Sequence, residues 1–93
     1  MFDIRINAEG NVELEGRFDA SNADIAKELF DKIEKSCIVD FKHLKYISSA
    51  GLGELLSAQK RLMAKGETLK LINMSDHIRD VFNYAGFHRV FEM

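Results

Sequence analysis

The stretch CIVDFKHLKYISSAGLGELL, residues 37–56, decides the fold. Cys37-Ile38-Val39 is a short apolar, β-branched run ended by Asp40, the pattern of a strand buried on both faces in mid-sheet. A polar connection follows. Leu44, Tyr46 and Ile47 then lead into Ser48-Ser49-Ala50-Gly51, beyond which Leu52, Leu55, Leu56, Leu62 and Met63 recur at helical spacing to about Lys65. Gly66 suits the left-handed turn that closes such a helix, and Thr68 to Ile72 alternates into another strand. A strand, a helix and a strand in this order form one parallel crossover unit.

Working outward, Phe2, Ile4 and Ile6 alternate with Asp3, Arg5 and Asn7. Glu9-Gly10-Asn11 interrupts, and Val12 and Leu14 alternate with Glu13 and Glu15, so the chain opens with a β-hairpin. Ser21-Asn22-Ala23-Asp24 has capping-box spacing before a helix over about residues 22–34, whose stripe is Ile25, Leu29 and Ile33. Ser75 caps a third helix with Ile78, Val81, Phe82 and Ala85 on its apolar side; Gly86 ends it, and Val90-Phe91 reads as a last edge strand. The expected order is ββαβαβαβ. It forms a single α/β domain over residues 1–93, with a mixed, mostly parallel sheet, an N-terminal hairpin and helices mainly on one face.

Composition narrows the function. The 93 residues fit one core, and 46% hydrophobic with 30% charged residues is a globular balance. Thirteen basic against 15 acidic residues give a net charge of −2, which carries no footprint for nucleic acid. Apolar runs stop far short of the roughly 20 residues that cross a bilayer, so neither signal peptide nor membrane insertion is expected. One cysteine makes no internal disulfide, which suits a cytoplasmic protein.

The chemistry-bearing stretch is Tyr46 to Leu56. Two hydroxyls stand at the entrance of a helix whose first turns hold Gly51 and Gly53, each costing about 1 kcal/mol against alanine. Glycines there lower the side-chain wall and let a partner, a backbone or a phosphate approach. The same residues also fit a plainer reading, in which Ser49 is an N-cap and the glycines make room for a neighbouring strand. Nucleotide loops are not matched: Gly51-Leu52-Gly53 is followed by Leu56 where a third glycine would stand. A nucleophile elbow fails because Ile47 occupies the glycine position before Ser49. His43, His77 and His88 are scattered, and Cys37 reads as packing, so no catalytic residue, metal site or cofactor is expected. Asp19, Ala20, Ser21 and Asn22 form a second polar cluster that caps the first helix and lies at the same sheet end as Ser49. Glu54, Ser57, Lys60 and Arg61 fall off the leucine stripe, on a solvated or partner-binding face.

Three segments in order, Leu14 to Asn22, Val39-Asp40-Phe41 and Tyr46 to Leu52, resemble those of STAS domains, in particular bacterial anti-sigma factor antagonists. The resemblance implies that Ser49 is phosphorylated by a cognate anti-sigma factor that is itself a serine kinase. Unmodified, such a domain binds that partner and frees a sigma factor; phosphorylated, it lets go until a serine/threonine phosphatase restores it, so transcription follows the partner switch. Ser48 stands where a common form of the motif has an acidic residue, which makes it a rival acceptor. Asp19, Asn22, Ser48, Gly51, Gly53 and Glu54 are the expected partner-binding residues around Ser49. The alternative is a non-switching STAS docking subunit of a transport or lipid-trafficking complex, with Ser49 as a cap. No apolar patch large enough for an oligomer is legible, so the free chain is expected to be a monomer.

Overall fold

The computed structural model describes all 93 residues. Strands β1 (Phe2–Ile6) and β2 (Val12–Phe18) form the expected antiparallel hairpin, and β3 (Cys37–Ile47) and β4 (Leu69–Ile72) join it in parallel. The sheet order is β1-β2-β3-β4. Helices α1 (Ala23–Phe30), α2 (Ser49–Met63) and α3 (Asp76–Tyr84) alternate with the strands as read from the sequence.

Val12, Leu14 and Phe18 of β2, Val39, Phe41, Leu44 and Ile47 of β3, and Leu69 and Leu71 of β4 are buried under the helices. Asp3, Arg5, Glu13, Glu15, Arg17, His43 and Tyr46 occupy the alternate positions and face solvent, with the Arg17 guanidinium stacked 4.2 Å from the Tyr46 ring centroid. The sheet is therefore covered on one face. This corrects the expectation that residues 37–39 are buried on both: Cys37 and Ile38 are only half-buried.

Three further boundaries differ, each for a physical reason. The polar connection expected after Asp40 is strand, because β3 runs on to Ile47. Register shifts opposite Glu13/Glu15 and Gly16/Arg17 add one residue each to β3, so its core-facing side chains come at 41, 44 and 47 instead of every second position. The first helix is preceded by a separate 3₁₀ turn and ends sooner than expected. Asp19 caps a 3₁₀ turn, Ala20–Asn22, by accepting from Ser21 N, and Asn22 Oδ1 accepts from Asp19 N in return, so the box is Asp19/Asn22 and not Ser21/Asp24. At the far end, Arg61 Nη2 of α2 donates to the carbonyls of Phe30 and Ile33, both at 2.7 Å, and the turn tightens after Phe30 while Ile33 stays buried.

The last edge strand is absent. Residues Phe87–Arg89 form a 3₁₀ turn, and only Lys70 and Glu92 bridge in parallel. Aromatic packing holds this segment instead: the Phe82 ring meets Phe41, Phe87 and Phe91 at centroid distances of 5.7, 5.9 and 5.8 Å, all near edge-to-face. Gln59, buried in α2, ties the same region together by donating to Thr68 Oγ1 and Val90 O and accepting from Leu69 N.

Candidate functional site

The two serines at the β3–α2 junction have different jobs. Ser48 is the N-cap: its backbone is extended, and its Oγ accepts from Gly51 N at 3.3 Å. Ser49 is the first residue of α2, exposed, with no protein group bonded to its hydroxyl. Ser49 is therefore not the N-cap of the plainer reading; its neighbour holds that position. Ser49 also stands over the first amides of a fifteen-residue helix, which have no intrahelical carbonyl to bond.

The two glycines part company as well. A Cβ on Gly51 would lie 2.9 Å from Ile47 Cγ1 and 3.0 Å from Phe18 Cγ, so this glycine lets the first turn of α2 settle on β2 and β3. It is buried and serves packing. A Cβ on Gly53 would meet nothing within 4 Å, and the position is exposed. Gly53 therefore has no packing reason to be glycine. Ser49, Gly53 and Ser57 follow at intervals of four along the outer side of α2, all exposed and all small.

The second polar cluster comes to the same place. Ser48 N donates to Phe18 O at 2.9 Å, so Asp19 begins where α2 begins. Asp19 is half-buried, and its Oδ1 accepts from Ser21 N at 3.0 Å and Ser21 Oγ at 2.6 Å. The Ser21 hydroxyl bond is the main reason that its carboxyl lies below the ordinary aspartate range, with the Ser21 amide and the Arg17 charge helping. Asn22 spends its Oδ1 on the Asp19 amide. Both residues shape the 3₁₀ turn packed beside α2. Glu54 is half-buried in a shallow groove between α1 and α2, with Lys27, Asp31, Ser57 and Arg61 around it. Lys27 donates to Asp31 at 2.9 Å, which raises its pKa, and Glu54 adds to that effect. Of the four polar residues read as one face of α2, Arg61 turns inward to tie α1, whereas Ser57 and Lys60 stay exposed. The pattern gave no sign of that inward turn, since arginine is read as solvated by default.

These residues form a continuous polar surface of small side chains with one free hydroxyl at a helix start, and hold nothing resembling a catalytic dyad. The family match follows the same chain: the model described as Mlab, STAS domain, covers residues 4–92.

The chain belongs to the STAS domain family. This STAS domain is 37% identical over 82 residues to BtrV of Bordetella bronchiseptica, named as an anti-sigma factor antagonist, with 84% of this chain and 71% of that protein aligned. Its fold matches that of the anti-sigma factor antagonist SpoIIAA, solved unphosphorylated (TM-score 0.71, 21% identity, 90% of this chain and 83% of that one). The phosphorylated form of the Bacillus protein gives a TM-score of 0.72 at 20% identity, over 98% of this chain and 88% of that one. A sulfate transporter family protein from Wolinella succinogenes gives 0.71 at 29% identity, over 83% of this chain and 66% of that one. The domain is thus of the anti-sigma factor antagonist type in sequence and fold. No helix in it is long and apolar enough to cross a membrane.

Proposed function

We propose that this domain is the antagonist of an anti-sigma factor in a cytoplasmic partner switch: unphosphorylated it binds an anti-sigma factor with serine kinase activity, and phosphate on Ser49 releases that partner. It is a binding protein and a kinase substrate, with no turnover of its own. The observation that carries the reading is the division of labour between Ser48, spent on capping, and Ser49, whose hydroxyl is free on the first turn of α2. The likeness to BtrV and to a fold solved in both phosphorylation states supports it.

The sign of the switch follows from charge. Phosphate adds about −1.5 to −2 charges at pH 7. At a helix start it faces free amides and the positive end of the dipole, an arrangement worth about 0.3–2 kcal/mol in favour of the folded domain. Pressed against a partner without a cation, the same charge is desolvated at a cost of several kcal/mol. The modification acts on the interface and leaves the fold standing. Asp19, Asn22, Ser48, Gly51, Gly53 and Glu54 frame the docking surface, Gly51 from beneath; a serine/threonine phosphatase resets it.

The test is intact-mass and peptide mass spectrometry after incubation with ATP and a candidate serine kinase of the anti-sigma factor type. One phosphate that disappears only in Ser49→Ala is the expected result. Loss only in Ser48→Ala moves the acceptor, and no phosphate from a kinase active on another substrate favours the second reading. That reading, a permanent STAS docking subunit of a transport complex, draws on the Wolinella transporter likeness.

A further inference from the structure

The sheet ends on one side in β1, whose outer edge carries no strand, whereas β4 on the other side is bridged by the C-terminal segment at Glu92. Arg17 N donates to Met1 O, and Asn7 N to Asn11 O, so residues 1 and 7 turn their backbone groups toward β2. Groups alternate along an antiparallel strand, which leaves the N–H and C=O of Phe2, Ile4 and Ile6 pointing outward. Such an edge is a template for another strand.

We infer that the edge is self-complementary and pairs with β1 of a second copy of this chain. An antiparallel pair centred on Ile4 opposite Ile4 sets Phe2 against Ile6 of the second copy, and these are the residues with outward backbone groups. The same register sets Asp3 against Arg5 twice, in the closely spaced pairs where side chains meet, and both of these side chains are exposed on the open face of the sheet. On the helix face the pairing covers Ile6, 41% exposed. Ile25, 58% exposed, is not part of the Lys27/Asp31 groove shared with α2 and adds exposed apolar surface on the helix layer. One register thus satisfies backbone, charge and apolar surface together, as a two-fold interface requires.

Two five-residue strands make a contact well below the about 1,600 Å² of a standard interface, so the dimer forms in the upper part of the concentration range. Ser49 follows β3, two strands in from this edge, and remains open in the dimer. The inference is independent of the partner switch.

Sedimentation or light scattering of the full chain from micromolar to millimolar concentration tests it. The mass is expected to rise from 10.6 kDa toward twice that value. Asp3→Lys alone sets Lys against Arg, and Arg5→Glu alone sets Glu against Asp; each is expected to weaken the dimer at least tenfold. Mixing the two variants restores opposite charges in both pairs and is expected to recover the dimer, which a merely misfolded variant would not do. Ile6→Pro serves as a second probe, since its amide points away from β2 and its side chain is exposed; a folded monomer is expected. A wild type that stays monomeric, or a dimer unaffected by Asp3→Lys or Ile6→Pro, overturns the inference.

Discussion

Gly51 and Gly53, with Leu52 between them, respond oppositely to the same methyl group. In Gly53→Ala the new Cβ meets no atom within 4 Å, so only the helix-propensity gain of about 1 kcal/mol remains. For a domain of this size that corresponds to a rise of roughly 4–8 °C in melting temperature. In Gly51→Ala the Cβ sits 2.9 Å from Ile47 Cγ1 and 3.0–3.1 Å from the Phe18 ring, whose side chains are both buried and cannot swing away. Overpacking of about 1–3 kcal/mol there outweighs the propensity gain, and the melting temperature falls. Under the proposed switch, affinity for the anti-sigma factor moves the other way for Gly53. A partner backbone seated on the Ser49–Gly53–Ser57 strip is pushed off by the methyl, and a loss of about 1.4 kcal/mol already shows as a tenfold weaker complex. Thermal melts read by circular dichroism, beside titrations of the purified partner, give both numbers from one set of proteins. A Gly53→Ala domain that is more stable yet binds at least tenfold more weakly is the expected result. Lower stability would refute the open-space argument, and unchanged affinity would take Gly53 out of the interface.

Other consequences can be read from the same melts. Arg61→Ala removes the Nη2 group that donates to both the Phe30 and Ile33 carbonyls at the end of α1 and is expected to cost about 2 kcal/mol. Gln59→Leu strands the Leu69 amide and the Val90 carbonyl, and a loss of about 1–3 kcal/mol with early unfolding of the C-terminal segment is expected in hydrogen exchange. The carboxyls of Asp19, Glu34 and Glu67 titrate below their ordinary range, held down chiefly by Ser21, Lys65 and Ser36 respectively. Groups with depressed folded-state pKa values stabilise above the unfolded value, about 4, and lose that contribution as pH falls through the folded value. Melting temperature is expected to be level above about pH 5 and to fall below about pH 4, with a shallower fall in Glu67→Gln.

The alternation of strands and helices was legible because the helices carry their apolar residues at 3.6-residue spacing and the hairpin strands theirs at two. What escaped reading is where neighbours override local pattern. Phe41, Leu44 and Ile47 are spaced by three, a period of neither element, and only the bulges forced by pairing with β2 turn that spacing into a strand. Val90 and Phe91 look like strand residues, yet the Phe41–Phe82–Phe87–Phe91 contacts claim them for aromatic packing before an edge ladder can form. At the site, the glycines and hydroxyls were conspicuous in sequence, but their roles were not: a one-residue offset at the helix start decides which serine caps and which is free. Arg61 and Gln59 were invisible because long polar side chains are assigned to solvent unless the partner carbonyls, about thirty residues away in the chain, are known.

That offset leads to the sharpest consequence for regulation. If phosphate on Ser49 acts on the interface alone, the phosphorylated domain keeps its fold, and its melting temperature stays equal to or a little above that of the unmodified protein, by the about 0.3–2 kcal/mol that free amides and dipole offer. Phosphate on Ser48 would do the reverse. Its oxygen is spent on Gly51 N, and its half-buried position beside Phe18 O gives a dianion no room without breaking the cap. Loss of a serine cap costs about 0.5–2 kcal/mol, so Ser48→Ala should melt lower than wild type while Ser49→Ala melts with it. Comparing the two alanine variants by thermal melt, before any kinase is added, therefore separates cap from acceptor on stability alone. Equal losses in both would refute the assignment of roles on which the switch is built.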